Sequence, residues 1–408
     1  MMNEATSRFV CQHTADDVRV LALHGTKDEG VDLRMALQQI KGRQTARRKL
    51  PSWAAVDAIV YPPHLNMEQC SSEQTARYKA ALCQRISEKP LTLLDLTGGF
   101  GVDFAFMSQA FQASTYVERD AALCAIATEN FKTLGLKAKT VCADGVDYLR
   151  QSLGQIGQHE GQRECVATVI YLDPARRDSN GARTFGIADC TPNVLDIRDL
   201  LLASAQWVVL KLSPMLDWQK AVSDLGPERV SEVHIVSVGN ECKELLVVMS
   251  SDEGRRQGCQ VYCVNDDAVF TFAPSTAVPL RLWDEADANA LWLYEPNASI
   301  MKAGCFARVA EAFDVRMLSA NSHLCVSDTL CADFPGRTFR VSAVSSMNKR
   351  ELRACLKDIR QANITVRNFP LSVAQLRQKL HLSEGGSDYL FATTLADGRH
   401  VLFLCRHH

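Results

Sequence analysis

Short apolar runs that each stop at a carboxylate dominate the middle of the chain. Leu91-Thr-Leu-Leu-Asp95 and Ser114-Thr-Tyr-Val-Glu118 read as two strands, residues 139–142 ahead of Asp144 as a third, and Ala167-Thr-Val-Ile-Tyr-Leu172 ahead of Asp173-Pro174 as a fourth. Amphipathic stretches separate them, the first running from about Asp103 to Phe111. Strands alternating with helical patterns predict an α/β core around a mostly parallel sheet. A fifth strand, residues 207–212, runs into Ser213-Pro214. Two more, 232–238 and 243–249, are separated only by Gly239-Asn-Glu-Cys242. That gap is too short for a crossover helix, so the pair is antiparallel.

The flanks differ in pattern. Residues 1–88 read as a helical domain, with apolar periodicity at 18–23, 31–40 and 54–59 and a helix from Glu73 to about Cys83 capped by Ser71 or Ser72. The core spans 89–252 and ends in a polar linker. Residues 253–333 show strands at 260–264, 269–272 and 291–294 and a helix near 299–313. Residues 334–408 read strand (338–344), helix (349–361), strand (364–368), helix (372–380), then strands 389–395 and 400–404, a small α+β sandwich.

Composition narrows the class. With 408 residues and 47% hydrophobic content the chain has material for several cores. A net charge of −2 provides no global field for a polyanion, so any such site is local. The longest apolar runs are too short to cross a bilayer, and Met1-Met-Asn-Glu-Ala-Thr6 lacks the basic-then-apolar order of a secretory signal. Fifteen scattered cysteines are expected to be reduced thiols in a cytoplasmic protein, and ten dispersed histidines predict no metal site.

The candidate chemistry gathers at the strand ends. Asp95-Leu-Thr97-Gly98-Gly99-Phe100-Gly101-Val-Asp103 is a strand, a glycine-rich turn and a helix start, where backbone can approach a ligand closely. Glu118, about twenty residues on, suits a ribose diol. Asp144 and Asp173 follow the third and fourth strands, so all four acids should crowd one crevice at the carboxyl edge of the sheet. A hydride-transfer enzyme needs only the first two.

These features resemble the class I S-adenosylmethionine-dependent methyltransferases, whose Rossmann-like sheet ends in an antiparallel hairpin. The whole layout is similar to a bacterial family of them, related to trimethylguanosine synthase, that carries ferredoxin-like and THUMP-like domains after the catalytic core. Its carriers here are Glu68-Gln-Cys-Ser-Ser-Glu73, the glycine turn, Leu172-Asp-Pro-Ala-Arg-Arg177, Tyr294-Glu-Pro-Asn297 and Glu384-Gly-Gly386. The resemblance implies S-adenosylmethionine as cofactor, with Asp95, Thr97, Gly99, Gly101, Glu118, Asp144 and Asp173 around it, and RNA as substrate. Thr97 stands where the superfamily has its first glycine, and Gly98 falls on an unconstrained position.

Asp173-Pro174-Ala175-Arg176 replaces the Asp/Asn-Pro-Pro-aromatic segment of enzymes that methylate exocyclic amines. Asp173, Pro174 and Arg176 are the candidate catalytic residues for transfer to a base nitrogen. Arg176 could stack on a base, grip a phosphate with Arg177, or pair with Asp178. Asp-Pro-Pro-Arg also occurs in uracil-C5 methyltransferases, but Lys211-Leu-Ser213-Pro214 offers no thiol where those enzymes carry their nucleophile. Lys211 could reach the site or be structural. Lys349, Arg353, Lys357 and Arg360 share one face of the expected helix 349–361, as an RNA-phosphate contact or a solvated face, and the basic run of residues 41–49 is a second candidate. Two other functions stay open: a small-molecule or protein methyltransferase, and a binding module that has lost catalysis.

Overall fold

A computed structural model of the chain describes residues 2–87, 89–155, 165–176, 186–252, 258–274, 277–284 and 291–408. It divides into two compact units, Met1–Val233 with Glu244–Cys259 and His234–Lys243 with Gln260–His408, the division passing through one hairpin.

In the first unit, helices α1 (Glu4–Gln12), α2 (Val18–His24), α3 (Leu33–Lys49), α4 (Pro51–Ala54), α5 (His64–Gln69) and α6 (Glu73–Ile86) precede the sheet. Asn3, Asp17, Asp32 and Ser72 each accept a backbone N–H at a helix start, satisfying donors the helix itself leaves orphaned. Ser72 therefore caps α6, and the Ser71 hydroxyl is left for other work. These helices pack directly on the core. The Asn130 side chain exchanges hydrogen bonds with the Val60 backbone, and Trp53 meets Phe100 edge-on at 5.1 Å.

The core follows as β1 (Thr92–Asp95), α7 (Val102–Met107), β2 (Ala113–Glu118), α8 (Ala121–Thr133), β3 (Lys139–Cys142), α9 (Gly145–Gln155) and β4 (Ala167–Leu172). The short strands β5 (Ala175–Arg176) and β6 (Cys190–Thr191), then α10 (Val194–Ser204), β7 (Ala205–Leu212), α11 (Trp218–Leu225), β8 (Val230–Val238) and β9 (Glu241–Ser250) complete it. The strand order is β8-β9-β7-β4-β1-β2-β3. β1 is parallel to β2 and β4, β2 to β3, and β4 to β7, whereas β9 runs antiparallel to β7. Chain direction around the sheet reverses between β1 and β4, so their carboxyl ends border the ligand crevice of such folds. Every residue of β4 is buried, as expected of a central parallel strand covered on both faces. The helix expected over 103–111 is shorter, giving way at Ser108 to a single 3-10 turn.

The second unit begins with an antiparallel ribbon, β10 (Gln260–Asn265) and β11 (Ala268–Phe272). β12 (Trp292–Pro296), α12 (Ala298–Ala303), α13 (Phe306–Ala312), β13 (Arg316–Met317), β14 (Cys325–Ser327) and β15 (Gly336–Ser346) come next. α14 (Lys349–Cys355), β16 (Asn363–Arg367), α15 (Val373–Leu380), β17 (Asp388–Thr394) and β18 (His400–His407) close the chain. Seven strands form one sheet in the order β13-β14-β12-β15-β18-β17-β16.

Two expected helices differ in the structure. The one over 299–313 is two helices, because Gly304 turns left-handed (φ +69°) and ends α12. The one over 349–361 stops at Cys355. There the chain turns, with the Ile359 N–H donating to the Leu356 carbonyl, so that Leu356 and Ile359 pack on the cluster of Leu352, Leu376 and Leu402. The helical face assigned to four cations therefore does not exist. Lys349 and Arg353 lie on α14, while Lys357 and Arg360 sit in the turn and coil beyond it, all four exposed. Among the described residues, no helix is long and apolar enough to cross a membrane.

Candidate active site

β1 delivers Asp95 to the carboxyl edge in register with Tyr116 of β2 and Tyr171 of β4. Its carboxylate accepts the Thr97 N–H at 2.9 Å and is 1% exposed. Burial pushes its pKa well above the ordinary value, and the nearby carboxylates of Asp103, Asp173 and Glu118 push the same way.

The turn after it is fixed by sterics at each step. A side chain at Gly98 would sit 2.1 Å from the Tyr116 ring, so the position the sequence pattern leaves free is constrained. Gly99 (φ +55°) donates its N–H to Glu118 at 2.7 Å, and the Tyr116 hydroxyl donates to its carbonyl. Gly101 (φ +83°) lies against Phe131, whose ring is 2.6 Å from where a Cβ would be. Thr97 is no passive substitute for glycine: its hydroxyl accepts the Asp173 N–H at 2.6 Å and joins the ends of β1 and β4.

The other acids converge on the same edge. Glu118 accepts the N–H groups of Gly99 and Asp120, both at 2.7 Å. Asp144 is exposed and caps α9, accepting from Val146 and Asp147. It is held there from both sides. Ala143 donates to the Glu118 carbonyl, and a Cβ at Gly145 would lie 2.1 Å from the Leu96 carbonyl oxygen. Asp95, Glu118, Asp144 and Asp173 thus lie at the carboxyl ends of four neighbouring strands, on one edge of the sheet.

Behind Asp173 lies a charge cluster that the sequence only hinted at. The Lys211 Nζ is 2.6 Å from Asp173 Oδ2 and 3.8 Å from Asp103 Oδ2. On α6, Lys79 is fully buried, with Nζ 2.6 Å from Glu244 Oε1 and 3.2 Å from Asp103 Oδ1. Asp103 Oδ2 accepts the hydroxyls of Ser71 and Tyr171, each at 2.8 Å. Two lysines face three acids in this cluster, and burial raises the Glu244 pKa above its ordinary value against the pull of Lys79 and Lys211. Burial works against the Asp103 carboxylate, but Lys79 and Lys211 with the two hydroxyls hold its pKa below the ordinary value. Burial likewise disfavours a charged Lys211, yet Asp173, Asp103 and Glu244 outweigh it and raise its pKa, so it is an ammonium at neutral pH. Burial pushes the Cys70 thiol up to about 11 against the pull of Lys49 and Lys211, which disfavours the thiolate.

Pro174 is buried, and the Arg176 backbone pairs with Cys190 in the β5–β6 ribbon. The Arg176 side chain, Arg177 and Asp178 lie outside the described residues. Sequence reasoning gives no functional place to Lys79, Tyr171 or Glu244, and names Ser71 only as a possible helix cap and Asp103 only as the end of the glycine turn. The available signal was Lys79 itself, which occupies the buried stripe of α6 with Ala76, Leu82, Cys83 and Ile86.

The match to a ferredoxin-like domain covers residues 292–335, and that to a THUMP-like domain covers 336–407. A protein of Porphyromonas gingivalis W83, provisionally designated a methyltransferase, is 30% identical over 99% of this chain and 97% of its own, with a TM-score of 0.82. The chain belongs to this family of class I S-adenosylmethionine-dependent methyltransferases. Lower-scoring likenesses include a SAM-dependent methyltransferase of Agrobacterium tumefaciens (18% identity, 44% of this chain and 62% of that one, TM-score 0.28). Another is TrmK of M. capricolum, solved with S-adenosyl-homocysteine (7% identity, 43% and 68%, TM-score 0.31). No curated protein matches the chain.

The crevice fits the methyltransferase cofactor. At Gly99 the space a side chain would fill is open, with the Thr97 carbonyl oxygen 3.8 Å away as nearest atom. The edge is lined by carboxylates, which would repel a dinucleotide's pyrophosphate. S-adenosylmethionine instead brings a sulfonium and an ammonium whose charges carboxylates attract, and a ribose diol and an adenine amine that donate to them.

Proposed function

We propose that this methyltransferase modifies RNA, with Glu118 taking the ribose of S-adenosylmethionine, Asp144 its adenine, and Asp95 and residues 97–101 its methionine end. When bound, the cofactor supplies a methyl carbon already activated by its sulfonium. The protein's task is alignment, to which positioning alone can contribute several kcal/mol, roughly 7–11 in favourable cases. The observation that supports the reading is the turn after Asp95, whose Gly99 N–H donates to Glu118 and whose Thr97 hydroxyl accepts the Asp173 N–H, with Asp144 following the neighbouring strand.

RNA as substrate is supported by the THUMP-like match over 336–407, and by the exposed cations Lys349, Arg350, Arg353, Lys357 and Arg360 within it. These exceed the neighbouring acids Glu351 and Asp358, and such local excess attracts phosphate despite the chain's overall charge of −2. Fifteen free cysteines suit a reducing compartment, the cytoplasm. The sequence motif alone points to a base nitrogen as acceptor, through Asp173, the Pro174 carbonyl and Arg176. Beside Asp173 the Lys211 Nζ lies at 2.6 Å, a partner that motif does not include.

Incubating the protein with labelled S-adenosylmethionine and the RNA, protein and metabolite fractions of a strain lacking its gene tests the reading. Label is expected in RNA. Label confined to protein or metabolites would overturn the RNA assignment, and none anywhere would favour a module that no longer catalyses.

A further inference from the structure

We infer that the acceptor is a hydroxyl oxygen, the ribose 2′-OH of an RNA nucleotide held against the paired Lys211 and Asp173, and not an exocyclic base nitrogen. The inference rests on the RNA reading above and deepens it.

Donor and acceptor matching is the first argument. An exocyclic base amine presents N–H donors to its surroundings, and a carboxylate alone suits it. Here Asp173 Oδ2 already receives the Lys211 ammonium at 2.6 Å. An ammonium has three donors and no acceptor, so an amine placed beside it meets donor with donor. A hydroxyl fits both partners at once. Its proton can be donated to Asp173 while one lone pair accepts from Lys211, leaving the second for attack.

Charge development is the second. An amine attacking the methyl becomes more positive, which a fixed ammonium opposes. A hydroxyl oxygen losing its proton becomes more negative, which the same ammonium stabilises. An oxygen lone pair forms the new C–O bond while the electrons of the methyl–sulfur bond remain on sulfur as a neutral thioether. The hydroxyl proton passes to the Asp173 carboxylate, whose side chain is 40% exposed and can return it to water. Lys211 keeps its protons throughout.

The surroundings agree with that division of labour. Lys211 is 13% exposed and its neighbour Asp103 11%, while Lys79 and Glu244 behind them are at 0% and 3%. A closed Lys79–Glu244 pair braces Asp103, and Asp103 braces Lys211, so the ammonium stays where the acceptor must arrive. Lys79, Asp103 and Glu244 are positioning residues on this account. Ala175 and Arg176 also stand where amine methylases place a proline and a stacking aromatic, and a ribose acceptor needs neither.

The test uses the chemistry of the product. The full chain methylates total RNA from a strain lacking its gene with tritiated S-adenosylmethionine, and the RNA is then hydrolysed in alkali. Alkaline cleavage requires a free 2′-OH, so the inference predicts label in alkali-stable dinucleotides. Label in mononucleotides would overturn it and leave the RNA reading standing; label absent from RNA would overturn the RNA reading itself. Lys211→Met should cut transfer by about 100-fold or more while calorimetry shows S-adenosylmethionine binding unchanged. Lys211→Arg, which keeps the cation, should recover part of the loss. Wild-type transfer in a folded Lys211→Met protein would also contradict the inference.

Discussion

The two charge-rich regions of this chain are built in opposite ways. At the carboxyl edge of the first sheet, Lys79, Lys211, Asp103, Asp173 and Glu244 interlock at 2.6–3.8 Å, largely out of solvent. In residues 349–360 of the THUMP-like region, five cations stand exposed on a short helix and the turn after it. Buried charges are costly and hold one geometry, which suits a reacting atom. Exposed charges cost little, move freely and suit a polyanion whose phosphates need only approximate placement. Altering the first region should therefore show up in folding and chemistry, and altering the second mainly in salt-dependent binding.

Lys79→Met should have the largest effect. It leaves Asp103 and Glu244 buried without their cation, a loss of about 3–5 kcal/mol measurable by urea unfolding. Pairing it with Glu244→Leu should restore part of that stability, and a single-mutant loss under about 1 kcal/mol would dissolve the contrast between the regions. Asp173→Ala should lower methyl transfer by at least about 100-fold, read as initial rates with saturating cofactor. Undiminished turnover would remove Asp173 from the chemistry.

Gly101→Ala is next. A side chain in the left-handed region against Phe131 should cost about 1–3 kcal/mol of stability and weaken cofactor binding. An alanine protein with unchanged unfolding midpoint would show that the bend is less constrained than its geometry states.

Asp95 gives a pH test with a definite sign. Its folded pKa is raised above the ordinary 3.8, so between the two values the native state holds more protons than the unfolded one. Stability contributed by this group must then fall as pH rises through that window. Asp95→Asn keeps an acceptor for the Thr97 N–H and cannot ionise. The wild-type-minus-variant stability should decline from about pH 3.8 upward, and a flat difference would refute the buried, ionisable reading. The smallest effect is expected at the surface: Arg353→Glu should weaken RNA binding modestly and reduce the salt slope by about one, leaving cofactor affinity alone.

What the sequence made legible follows from where each signal is local. Strand, acid and glycine lie within a few residues of one another at Asp95–Gly101, so the strand, turn and helix start there are legible in the sequence. The hairpin was equally plain, because a four-residue gap permits one geometry. The Lys79–Glu244 contact joins residues 165 apart in sequence, and no periodicity links them. Thr97 looked like a departure until the Asp173 N–H was seen on its hydroxyl. The cationic face failed for a different reason: helical spacing was extended past Cys355, where Leu356 and Ile359 gain more by turning into the core than by continuing the helix.

Titrating the full chain with S-adenosylmethionine by calorimetry tests the central claim most directly. The account predicts saturable binding of one molecule per chain, lost in Glu118→Ala. No heat at millimolar ligand, or undiminished binding in that variant, would contradict it.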